Sequence, residues 1–184
     1  MRGGALVLVV GPSGAGKDTL IAAARDELAA DRRFSFPRRV VTRQAMIELE
    51  DHDTLDGPEF ARQKLQGAYA LDWEAHGLCY GVPSAIDAAM ADGRVVVVNT
   101  SRKVIEQAIG KYPRCHVLVV SAEPEVRARR LAGRGRESAG DIAARLAREG
   151  APVPAGVLAT MIDNSGALAA GVDRFVGALK AIAD

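Results

Sequence analysis

Short, almost unbroken apolar runs recur along this chain at residues 5–10, 94–98 and 115–120, and a final strand is expected over 158–162. Runs of this length, rich in β-branched residues, predict strands buried on both faces. The stretches between them carry apolar positions at helical spacing. They predict helices over 20–30, from Ser84 to a stop at Gly93, through Ile109, over 124–131 and over about 140–148. Ser84 and Asp87 read as a capping-box variant at the second of these. A terminal helix over about 167–182 places Leu168, Val172, Phe175, Val176 and Leu179 on one face. Strands alternating with helices imply an α/β fold, a mostly parallel sheet flanked by helices on both faces.

The region after the first helix departs from that alternation. Residues 34–43 predict a short strand, on which Arg39, Val41 and Arg43 share one face. Residues 48–53 are acidic without periodicity and predict a loop. Gly57 and Pro58 open a short helix. Residues 69–82 alternate around His76-Gly77 and predict a β-hairpin, with Asp72 and Glu74 opposite Trp73. Residues 150–156 predict a linker.

A chain of 184 residues fits one domain. A net charge of +1 gives no reason to expect nucleic acid or a membrane as partner. Cys79 and Cys115 stand in no metal or redox spacing and predict reduced core residues. No signal peptide fits ahead of a strand starting at Ala5, and no run reaches membrane-spanning length, so the expectation is a soluble cytoplasmic protein. The basic residues are 19 Arg against 5 Lys. That bias suits phosphate clamping, because Arg presents a planar fork that stays protonated; GC-rich coding is the competing explanation.

The candidate chemistry centres on Gly11-Pro12-Ser13-Gly14-Ala15-Gly16-Lys17-Asp18-Thr19, between the first strand and the first helix. The spacing G-x-x-x-x-G-K in that setting predicts a phosphate-binding loop. Its backbone N–H groups would form an anion nest at a helix N-terminus, with Lys17 reaching the β- and γ-phosphates. Asp18 stands where a Mg²⁺-binding hydroxyl is usual; a carboxylate is also a hard oxygen ligand. Arg38, Arg39 and Arg43 cluster near one strand, and Arg127, Arg129, Arg130, Arg134, Arg136 and Arg145 follow the strand at 115–120. So many like charges on one segment predict an anionic partner; a solvated basic face is the alternative. Asn99, Thr100, Ser101 and Arg102 lie at the carboxyl end of a strand, where open α/β sheets bind ligands; an N-cap role for Thr100 or Ser101 competes.

Together these parts resemble the guanylate-kinase branch of the nucleoside monophosphate kinases over nearly the whole chain. The matching pieces are residues 11–17, Thr42-Arg43, Trp73 with Tyr80-Gly81, Arg130-Leu131 with Arg134-Gly135, Arg145-Leu146, and Asn164 before the last helix. The resemblance implies a P-loop NTPase domain over 1–184, with a core (1–37, 83–131 and 146–184), an acceptor-binding subdomain (38–82) and a lid (132–145). It implies ATP on residues 11–19 with Asn164 near adenine, and Mg²⁺ on Asp18. Lys17, Arg130, Arg134 and Arg145 would act on the transferring phosphoryl group, and Arg43 would hold the acceptor phosphate. Groups that read guanine in that branch are missing: Gln44, Ala45 and Met46 follow Arg43, Val82-Pro83 follow Tyr80-Gly81, and Asn99, Thr100 and Ser101 replace an Asp-x-Asp.

The chain is more similar still to the ribose 1,5-bisphosphate phosphokinases of bacterial phosphonate breakdown. The shared features are GPSGxGKD, R-x-x-T-R at 39–43, Glu50-Asp51-His52, A-L-x-W-x-A-x-G-L-x-Y-G-V at 70–82, V-N-x-S-R at 98–102 and R-x-x-x-R-G-R-E at 130–137. This implies transfer of the ATP γ-phosphoryl group to the 1-phosphate of ribose 1,5-bisphosphate, by a monomer or homodimer. Arg39, Arg43, Asp53, Tyr80, Asn99, Ser101 and Arg102 are then the candidate acceptor contacts, with Arg38, Arg39 and Arg102 toward the 5-phosphate. Three other readings remain open at this point: a guanylate kinase, a kinase acting on a hydroxyl with Asp53 or Asp72 as base, and a non-catalytic binding module of the same fold.

Overall fold

The computed structural model describes residues 3–42, 52–133, 140, 143, 146 and 152–184. In chain order its elements are β1 (Ala5–Val10), α1 (Lys17–Glu27), β2 (Phe34–Ser35), β3 (Arg39–Val41), β4 (His52–Thr54), α2 (Gly57–Leu65), β5 (Tyr69–Ala75) and β6 (Leu78–Pro83). Then come α3 (Ile86–Ala91), β7 (Val95–Asn99), a 3-10 turn (Arg102–Val104), α4 (Ile105–Lys111), β8 (Cys115–Ser121), α5 (Pro124–Ala132), β9 (Ala159–Asp163) and α6 (Leu168–Ala183). A five-stranded sheet runs β2-β7-β1-β8-β9, and every pairing in it is parallel. A four-stranded sheet runs β4-β3-β6-β5.

β1 explains why both faces of the main sheet must be covered. All six of its side chains are fully buried. Ala5, Val7 and Val9 face one apolar cluster, with Leu20, Ile21 and Ala24 of α1 and Phe175, Val176 and Leu179 of α6. Leu6, Leu8 and Val10 face a second cluster, with Leu71, Trp73 and Val82 of the smaller sheet and Ile86 and Ile105 of α3 and α4. The smaller sheet therefore shares its core with β1 rather than having one of its own.

Several local expectations change. The single strand expected over 34–43 is two strands in different sheets, with Pro37 between them. Pro37 has no N–H for a ladder, which is a physical reason for the break. His52–Thr54, expected as loop, is an edge strand parallel to β3. Its polar residues carry no apolar alternation because the strand is largely exposed. Residues 43–51 lie outside the described residues. Ser84 does not cap α3 with its side chain; Ala85 is the N-cap, and Asp87 instead accepts from the Tyr112 hydroxyl at 2.6 Å. Leu168 is exposed, and Gly171 takes the buried place at the start of α6.

The hairpin forms as expected: β5 and β6 pair antiparallel with Trp73 opposite Tyr80. Both residues of its loop, His76 and Gly77, have positive φ (56° and 71°), the conformation a tight two-residue hairpin turn requires. Both cysteines are free and half-buried; burial pushes the Cys115 thiol up to about 11. Among the described residues no helix is long and apolar enough to cross a membrane.

Candidate active site

The chain leaves β1 and returns on one side as β7 and on the other as β8. Such a reversal opens a crevice at the carboxyl ends of the strands. Residues 11–16 cross that end of β1. A Cβ on Gly11 would collide with the Val120 carbonyl oxygen, and one on Gly16 with Asn164 Nδ2, so neither position has room for a side chain. Gly16 also stands at φ 92° and is the N-cap of α1, supplying no side-chain cap. The first N–H groups of α1 are thus left to an anion, which the helix dipole favours.

The loop is braced from outside by α5. Arg127 Nε donates to the Ser13 carbonyl oxygen at 2.9 Å. Arg130 donates to Ala15 O at 3.3 Å and to Asn164 O at 2.8 Å. Asn164 Nδ2 donates to Ala15 O at 2.8 Å. Within one planar peptide the C=O and N–H point oppositely. Drawing the Ser13 and Ala15 carbonyls toward α5 therefore turns the N–H groups of Gly14 and Gly16 the other way, as an anion nest needs. Lys17 Nζ lies over the start of the loop, donating to Gly11 O at 2.8 Å and Pro12 O at 3.2 Å.

Two of the expected site residues take backbone partners in this arrangement. Arg130, expected on the transferring phosphoryl group, is held on the backbone of the loop and of Asn164. Asn164, expected beside adenine, is 1% exposed and turned onto Ala15. Both are braces in this arrangement; the Asn164 amide nitrogen is satisfied by Ala15 O, while its Oδ1 is buried with no hydrogen-bond partner among the described residues.

A second set of contacts runs from the loop helix to the smaller sheet. Asn99 Nδ2 donates to Asp18 Oδ1. Arg39 Nη1 donates to Asn99 O at 3.4 Å, and its guanidinium stands 5.7 Å from the Tyr80 ring centroid. Tyr80 stacks on Trp73 with centroids 5.2 Å apart. The fold thus brings together Asp18, Asn99, Arg39 and Tyr80, which are far apart in sequence. Thr100, 5% exposed, follows Asn99; its Oγ1 is covered and has no hydrogen-bond partner among the described residues.

Other candidates stand apart or serve the fold. Ser101 caps the 3-10 turn, accepting from Lys103 N at 3.3 Å, and Arg102 opens that turn half-buried. Thr19 is exposed on α1. Asp53 sits on the exposed edge strand β4, 3.4 Å from Arg38 Nη1. Asp72 is paired with Lys64. Arg43, Arg134 and Arg145 lie outside the described residues.

Among the described residues no three His, Cys, Asp or Glu side chains gather as a metal site. A cation on Asp18 would take its remaining ligands from phosphate oxygens and water, the coordination Mg²⁺ favours. Arg127 was not singled out by sequence as a site residue. Its signal was there: Arg127 and Arg130 are i and i+3 on one helix and so share a face.

No family model matches the chain. Curated relatives match it nearly end to end. A protein of Brucella melitensis biotype 2 named ribose 1,5-bisphosphate phosphokinase PhnN is 51% identical over 98% of this chain and 94% of its own length. One of the same name from Methylobacterium radiotolerans is 49% identical over 97% and 98%. In a Cupriavidus necator protein named bifunctional ribose 1,5-bisphosphokinase-thymidine phosphorylase, 96% of this chain matches 29% of that length at 45% identity. Among solved structures, guanylate kinase from Anaplasma phagocytophilum superposes with TM-score 0.67 at 19% identity, over 97% of this chain and 86% of the other. A gluconokinase from Sinorhizobium meliloti 1021 gives 0.54 at 17%, over 100% and 95%.

Proposed function

The chain belongs to the ribose 1,5-bisphosphate phosphokinase family, and from that premise we propose that it transfers the γ-phosphoryl group of ATP to the 1-phosphate of ribose 1,5-bisphosphate. The product is 5-phosphoribosyl 1-diphosphate, formed during phosphonate breakdown. The observation that carries this reading is the identity of about half the residues, over nearly the full length of both chains, with proteins named for the reaction.

ATP brings the phosphoryl group with its high transfer potential, and Mg²⁺ offsets the charge of its phosphate oxygens. The chain's own residues bind and orient. The loop 11–16 holds phosphate oxygens on backbone N–H groups, kept in that orientation by Arg127, Arg130 and Asn164 from behind. Lys17 exchanges the carbonyl oxygens of Gly11 and Pro12 for phosphate oxygens, a stronger charge-assisted contact. Asp18 would hold the metal. By the family resemblance Arg134 and Arg145 would act on the phosphoryl group, and Arg39 and Arg43 would hold the acceptor's phosphates, with Tyr80 beside Arg39.

No side chain is assigned as base. A phosphate nucleophile is already largely ionised at neutral pH, so catalysis reduces to positioning and charge neutralisation. The placement of the carboxylates agrees: Asp72 is paired with Lys64, and Asp53 with Arg38. The reading of a kinase with a hydroxyl acceptor, which needs one of these as base, is therefore the weaker.

The test is an ATP-dependent transfer assay with purified protein, Mg²⁺ and either acceptor. Ribose 1,5-bisphosphate should give 5-phosphoribosyl 1-diphosphate by chromatography. GMP should be poorer by at least about 100-fold in kcat/KM, the scale of discrimination when a base loses its hydrogen-bonding partners. Comparable kcat/KM for GMP, or no 5-phosphoribosyl 1-diphosphate, overturns the assignment.

A further inference from the structure

Asn99 ends β7 and is held from two directions. Its carbonyl oxygen accepts from Arg39 of the smaller sheet at 3.4 Å, and its Nδ2 donates to Asp18 Oδ1 at the start of α1. Its Oδ1 is buried and has no hydrogen-bond partner among the described residues. With one N–H of Nδ2 on Asp18 and Oδ1 covered, only the second N–H of the amide is left for any further partner.

The pairing suits a different task. Asp18 is a short ionised side chain that the phosphates of a bound nucleotide repel. Left to itself, the carboxylate rotates away from them. A neutral amide fixes one carboxylate oxygen through a charge-assisted hydrogen bond without adding charge. Lys or Arg in that place would oppose a divalent cation, and Asp or Glu would set like charges in contact.

We infer that Asn99 is a positioning residue for Asp18, holding Oδ1 so that the other carboxylate oxygen serves the metal, and is not a contact to the sugar. This rests on the reading of Asp18 as metal ligand. It makes Arg39, Asn99 and Asp18 one continuous connection between the acceptor side and the metal side of the crevice. Outer groups that orient a metal-binding carboxylate commonly change metal affinity by an order of magnitude or more.

The experiment uses calorimetric binding of β,γ-methylene-ATP, titrated over a range of Mg²⁺ concentrations, beside steady-state KM for ribose 1,5-bisphosphate. Wild type, Asn99→Ala, Asn99→Ser and Asp18→Ala are compared, each checked for folding by its melting temperature. Asn99→Ala should raise the Mg²⁺ concentration at half-saturation about tenfold. Its KM for the acceptor should stay within about twofold of wild type, since no acceptor contact is removed. Asn99→Ser, too short to reach Asp18, should behave likewise and decides the matter if the Ala variant does not fold. If Asp18→Ala leaves the Mg²⁺ titration unchanged, the metal reading of Asp18 falls and this inference falls with it. If Asp18→Ala shifts the titration but the Asn99 variants do not, or if they raise acceptor KM instead, the inference alone is overturned.

Discussion

Lys17 and Arg127 act on different carbonyls of the same loop. Lys17 lies over Gly11 and Pro12, while Arg127 draws the Ser13 carbonyl toward α5. Arg127 touches no reacting group in the proposed mechanism; its effect passes through the direction of the loop's N–H groups. Replacing it with Met keeps most of the stem and removes the donor. A hydrogen bond to a charged donor contributes about 1.5–3 kcal/mol, so Arg127→Met should raise KM for ATP by about tenfold or more. Acceptor KM should change little, and Arg127→Lys should restore part of the loss. A lower melting temperature with unchanged KM for ATP would mean that Arg127 only packs α5 against the loop.

Among the elements, the β5–β6 hairpin carries the clearest local conflict. His76 sits at φ 56°, a conformation in which non-glycine residues are disfavoured, although Asn, Asp and His tolerate it best. The turn is exposed. Asn followed by Gly is the preferred pair for this turn. His76→Asn should therefore stabilise the protein by roughly 0.5 kcal/mol, within the usual range for such surface changes. Gly77→Val should destabilise it by about 1–2 kcal/mol, the cost of left-handed backbone for a residue with a Cβ. Urea unfolding curves for the two variants check both signs; stabilisation by Gly77→Val would show that the turn is not of this kind.

For the whole molecule, the shared core decides how it unfolds. Leu71, Trp73 and Val82 of the smaller sheet lie in one apolar cluster with Leu6, Leu8 and Val10 of β1. Separating the sheets would expose both sides of that cluster, and apolar burial contributes about 25 cal/mol per Å². The smaller sheet should therefore not melt alone. Trp73 is the only tryptophan of the chain and is buried in that sheet. Its fluorescence and the far-ultraviolet circular dichroism of the helices should change at one temperature, as a two-state transition requires. Leu71→Ala should lower both midpoints together, at a cost of about 2–5 kcal/mol. A separate, earlier fluorescence transition would show that the smaller sheet is an independent unit.

The phosphate loop, the buried parallel strands and the hairpin were legible in the chain itself. Each is written in local terms: glycine spacing before a lysine, apolar runs too short for helices, and alternation around His76-Gly77. Boundaries blurred where the signal was weak. Val40 and Val41 read as a continuation of Phe34, although Pro37 divides two sheets. His52–Thr54 gains strand conformation from pairing with β3, a partner no local pattern names. Only the tertiary structure decided the roles around the loop. A run of arginines announces an anion, but hydrogen-bond geometry sets Arg127 and Arg130 on backbone carbonyls. Asn164 and Gly16 are 148 residues apart in number, yet the glycine's missing side chain is the space the asparagine amide fills. Likewise Asn99 and Asp18 are each polar residues at the ends of elements, and neither names the other. Parallel strands order themselves by side-chain burial across the sheet, and that order, β7 beside β1, makes them partners.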